Sequence, residues 1–73
     1  MPTVHELYKQ HEELKREGKL EEAAARLQEG LTVDDKHVLS HLALAVLLGK
    51  LGKHEAAVQH AETAVQIEPT DTF

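Results

Sequence analysis

Histidine is the most chemically versatile residue in this chain, and six of its 73 positions carry it. His37 and His41 are four apart, a spacing that on one helix lets two imidazoles grip a single metal ion. Asp34 and Asp35 stand just before them as candidate oxygen ligands. Zinc would still want a third or fourth ligand, and His60 would have to bring it from another helix. The alternative is that His41 fills a packing position and His37 is solvated near a helix start. In either case the imidazoles make association or stability sensitive to pH between about 5 and 8. Ser40, the only serine, lies between His37 and His41. A nucleophile also needs an orienting third group and oxyanion donors, and a mid-helix serine has neither loop nor cleft. Glu12–Glu13 and Glu21–Glu22 are adjacent in sequence and splay apart on a helix, as a solvated face does. Neither Gly49/Gly52 nor Gly18/Gly30 forms a phosphate-cradling loop. We therefore expect no catalytic residue and no cofactor.

Charge narrows the partners. The net charge is −5, and the eight Lys and Arg are scattered beside carboxylates rather than clustered. With one Tyr and one Phe there is no aromatic platform for bases, so nucleic acid is not an expected partner. The absence of cysteine rules out disulfides and thiolate metal sites. The start, MPTVHELYKQ, lacks a basic segment leading into an apolar one. A cytoplasmic protein is the expectation, and no membrane partner.

The elements that must position these groups read as helices. Thr3-Val4-His5-Glu6 is a capping box. Val4, Leu7, Tyr8, His11 and Leu14 follow on one stripe, and Gly18 is the expected left-handed stop. A second helix runs from Leu20 to about Thr32, with Leu20, Ala23, Ala24, Leu27 and Leu31 inward. Asp34 or Asp35 is the expected cap of a third. That helix contains the unbroken apolar run Leu42–Leu48, which covers every face of a helix. The run is far short of the roughly 20 residues a bilayer requires. A helix with neighbours on all sides is the reading. A fourth runs from about Lys53 to Ile67, burying Ala57, Ala61, Ala64 and Val65, and Pro69 stops it. No stretch reads as a strand. The fold class is all-α.

Sliding the sequence along itself until Val4 meets Val38 also aligns Leu14 with Leu48, Gly18 with Gly52, Lys19 with Lys53, Glu21 with Glu55 and Ala23 with Ala57. A fixed period of this size, about 34 residues, means stacked helical hairpins. GKHEAA (Gly52–Ala57), Ala61, Ala64 and VQIEP (Val65–Pro69), with Ala45, Leu44 and Leu48 in the helix before, give the chain its likeness to a known family. It resembles two tetratricopeptide repeats, about 3–36 and 37–70, with a tail at 71–73. The family's Trp position holds Leu7 and His41, its Tyr position Leu14 and Leu48, and its late Phe position Leu27 and Ala61. His11 stands at a position that is small in the family, and Asp35 replaces the closing Pro.

The resemblance implies a short right-handed solenoid that binds a protein or peptide. The first helices of the hairpins would line its concave face, with Tyr8, Glu12, Leu39, Leu42, Val46, Gly49 and Lys50. Family members that hold a terminal carboxylate use a Lys/Asn/Arg clamp. Tyr8, Glu12 and Val46 stand in the matching places, so an apolar strip, helical or extended, is the expected ligand. Two repeats are fewer than the three usually needed, and a terminal repeat normally has a polar outer face. Val58, Ala61 and Val65 would be left uncovered, which favours a homodimer through that face. The alternative is a longer repeat array; Met1 and the residues after Pro69 favour a complete small protein.

Overall fold

A computed structural model describes residues 2–67. They form four helices and no strand: α1 (Val4–Arg16), α2 (Leu20–Val33), α3 (Val38–Lys50) and α4 (His54–Ile67). The two hairpins are in register with the repeat: the Val4-to-Val38 offset carries both ends of α1 onto α3 and both ends of α2 onto α4. The expected stop at Pro69 and the tail lie outside the described residues.

Local hydrogen bonding explains the boundaries. The Thr3 side chain accepts from the Glu6 N–H while the Glu6 carboxylate accepts from the Thr3 N–H, as the capping box requires. Both first helices end in the same turn. Gly18 N–H donates to the Lys15 carbonyl and Lys19 N–H to that of Leu14; Gly52 and Lys53 repeat this on Gly49 and Leu48. This is the Schellman arrangement, which needs a left-handed residue after the cap. Gly18 and Gly52 supply it, each at φ +82°.

The cap of α3 differs from expectation. The Asp34 carboxylate accepts from Lys36 N–H in a tight local turn and is spent there. His37 is the capping residue, its Nδ1 accepting from the Ser40 N–H at 3.2 Å.

α1 packs on α2, α2 on α3, and α3 on α4. The buried cluster consists of Ala23, Ala24 and Leu27 from α2 with Leu44, Leu47 and Leu48 from α3. Ala23 and Ala24 leave room for the α3 backbone to approach. Between α1 and α2 that room comes from Gly30, where a Cβ would meet Val4 Cγ2 at 3.3 Å.

Two burial expectations are corrected. α3 is not covered all round: Leu39, Leu42 and Val46 are exposed, because α2 and α4 occupy only part of its circumference. Of the four α4 residues expected inside, only Ala64 is buried. Ala57 and Ala61 are half-buried and Val65 is exposed, since no further helix among the described residues packs on that side.

Candidate functional site

The exposed residues of α3 recur at helical spacing. Leu39, Leu42 and Val46 share one face with half-buried Gly49, and Lys50 is exposed at its end. A Cβ on Gly49 would meet nothing within 4 Å, so the strip is open there. The α1 members of the expected concave face are Tyr8, half-buried, and Glu12, exposed. Tyr8 reaches the start of α3, with its ring centroid 5.9 Å from that of His37. Burial, with the nearby Glu12 charge, pushes the Tyr8 phenol above its ordinary value. The α3 strip is continuous, whereas its link to α1 runs through the Tyr8 and His37 rings.

A second apolar surface lies on the outer side of α4. Val58 and Val65 are each 54% exposed, with half-buried Ala61 between them. Shallow depressions lined by His54, Glu55, Val58 and Gln59, and by Ala61, Glu62, Val65 and Gln66, run along it. The repeat explains this face. Shifted back by one repeat, Val58, Ala61 and Val65 become Ala24, Leu27 and Leu31 of α2. In α2 those residues face α3, Ala24 and Leu27 inside the buried cluster and Leu31 packed against it.

The histidines divide between two neighbourhoods. His37 Nδ1 lies 2.7 Å from Ser40 Oγ, and its ring meets that of His5 edge-on at 5.5 Å. His41 turns the other way. Its Nε2 is 2.9 Å from the Asp35 carbonyl and its Nδ1 is 3.0 Å from Nδ1 of His60 on α4. His37 and His41 thus engage different partners, and no group of three or more His, Asp or Glu suited to a metal is gathered among the described residues. Ser40 is buried, with its hydroxyl directed at half-buried His37. His11, also buried, donates from Nδ1 to the Tyr8 carbonyl at 2.6 Å.

Sequence reasoning missed the His41–His60 pair as a unit. The available signal was position, since His41 lies about two and a half turns before the end of α3 and His60 a little under two turns after the start of α4. The close approach at Gly30 was missed as well; the signal was its counterpart in the repeat, Ala64, which is also small and buried.

No helix of the described residues is long and apolar enough to cross a membrane. Comparison with known proteins returns no matching family model, no matching curated protein and no matching solved structure.

Proposed function

We propose that this chain is a protein-interaction module, built as a short right-handed stack of two tetratricopeptide-like hairpins. Its α3 strip takes an apolar segment of a protein or peptide, and its α4 face takes a second copy of the chain. The observation that carries this reading is the exposure of Leu39, Leu42 and Val46, at 54%, 42% and 51%, on the helix that also supplies Leu44, Leu47 and Leu48 to the core. Apolar residues lined up on one exposed face of a packed helix mark contact surfaces more often than scattered single ones do. The rigid inner face of α3 holds the outer strip in place at little cost in conformational entropy. The repeat offset, kept at every helix boundary, supports the stacked-repeat architecture.

Peptides selected from a random display library on the wild-type chain test the strip. Apolar sequences are expected, losing about tenfold or more in affinity with Leu42→Asp or Val46→Asp. Peptides indifferent to both substitutions but lost with Val58→Asp would move the partner surface to α4. Light scattering across a concentration series tests the second half. A dimer that Val65→Asp dissociates is expected, and a monomer at every concentration would remove self-association.

Metal binding through His37 and His41 has less support, because each ring is already bonded elsewhere. A rise in melting temperature with zinc or nickel that His37→Gln abolishes would restore it.

A further inference from the structure

The interior holds an unusual set of ionisable groups. Every Asp, Glu, Lys and Arg among the described residues is exposed, while His11 and His41 are buried and His60 is half-buried against His41. Hydrogen bonding assigns the protons of the His41–His60 pair. The Asp35 carbonyl only accepts, so His41 Nε2 carries a hydrogen. In a neutral His41, Nδ1 is then a bare acceptor, and His60 Nδ1–H must donate to it. With one extra proton the bond survives, because an imidazolium N–H on either ring faces a lone pair on the other. With two, both Nδ1 atoms carry hydrogen and face each other at 3.0 Å, with two like charges and no acceptor between them.

The geometry is sized for a proton. The ring centroids are 5.2 Å apart, close to the nitrogen–nitrogen distance plus two ring radii, so the nitrogens meet head-on. A transition metal held head-on needs about 2 Å to each nitrogen, and therefore a wider gap than this one.

Little nearby can offset a second charge. The α2–α3 connection reaches His41 with the Asp35 backbone carbonyl, while the Asp34, Asp35 and Lys36 side chains are exposed. On α3, Ser40 and His37 are bonded to each other. On α1, His5 and Tyr8 lie against His37, and buried His11 is bonded to the Tyr8 carbonyl. The charged residues of α2 (Glu21, Glu22, Arg26, Glu29) and of α4 (Glu55, Glu62) are exposed, as is His54. The charge that acts on His60 is that of His41, and burial together with that charge holds His60 below the ordinary 6.5.

We propose that the His41–His60 pair is a proton-counting latch that fastens α4 to α3, stays closed with no or one extra proton, and opens with the second. α4 is the element it releases, because α4 contributes one fully buried residue, Ala64. The members of the buried cluster all come from α2 and α3, and α4 packs against it only with the half-buried Ala56 and Ala57. A histidine held below its ordinary value contributes stability that is fully present above 6.5 and is lost as pH falls below that point. The latch therefore opens on the acid side.

Amide hydrogen exchange of the full chain, corrected for intrinsic pH dependence, tests this between about pH 7.5 and about 5. Protection of α4 is expected to fall below that of α2 and α3, by up to about tenfold per pH unit for each proton taken up. In His60→Gln the amide offers a donor or an acceptor to either state of His41, so the selective loss should largely disappear. Equal loss over all four helices would overturn the proposal and point to His11. So would a His60→Gln chain with unchanged pH dependence. Nitrogen-15 spectra of the wild-type imidazoles give a check that no variant can confound. They should show hydrogen on Nε2 of His41 and Nδ1 of His60 at neutral pH, and a neutral His41 with hydrogen on Nδ1 would overturn the latch.

Discussion

Ala24, Leu27 and Leu31 on α2 occupy the same helical face as Val58, Ala61 and Val65 on α4, one repeat later. The α2 set is packed with α3, whereas Val58 and Val65 are half open to solvent. The opposite end of the stack reverses the pattern. Leu44 and Leu47 of α3 are fully buried, and their α1 counterparts, Gln10 and Glu13, are polar and exposed. The first hairpin is therefore finished for water on its outer side, and the second is not. Burial here follows from whether a helix comes next, and the residue types match that only at the α1 end. A polar α1 face also gives no apolar seat for the α4 face of another copy. The proposed self-association would accordingly be a closed pairing of two α4 faces rather than continued head-to-tail stacking of copies.

Equivalent substitutions in the two hairpins sharpen the comparison. Ala24→Asp would bury an unpaired carboxylate at the α2–α3 seam and should cost about 3 kcal/mol or more by chemical denaturation. Val58→Asp at the matching position should leave monomer stability within about 0.5 kcal/mol and show its effect in association. Similar costs at the two sites would mean that the α4 face is covered within the monomer.

Leu27→Ala should cost about 2–5 kcal/mol through the cavity left in the buried cluster. Its counterpart is Ala61, so Ala61→Leu adds apolar surface without overpacking and should favour association. A large loss of monomer stability in Ala61→Leu would contradict an open α4 face.

Gly18→Ala and Gly52→Ala make the comparison where the hairpins are alike. Both residues have φ +82° and open space around a new Cβ, so each should cost about 1–2 kcal/mol from backbone strain alone. Unequal melting shifts would reveal contacts beyond the turn.

The smallest effect should come from the caps. Thr3→Ala removes half of the capping box and should cost about 1 kcal/mol. Asp35→Ala leaves the Asp35 carbonyl in place and should be nearly silent in thermal melts.

Much of the fold was legible because its signals are local. A capping box closes within a single turn, a glycine turn spans little more, and an amphipathic stripe needs only its own helix. The repeat then related one hairpin to the other. The α3 strip was named from its place in the repeat, although the same residues had also been read as enclosed. An unbroken apolar run carries no mark of which side is uncovered. The role of His37 was hidden because carboxylates beside it are the commoner caps. The Asp34 carboxylate accepts from the Lys36 N–H instead, and His37 pairs with Ser40.

By itself, the sequence determined four helices, the glycine stops of α1 and α3 and the repeat that relates the hairpins, because those depend on hydrogen bonds and side-chain periodicity within one turn or one helix. The tertiary structure decided which apolar residues remain in water and which imidazoles meet, His5 with His37 and His41 with His60. Both outcomes depend on the packing of helices far apart along the chain, where a rotation of one helix by a single residue would separate His41 from His60.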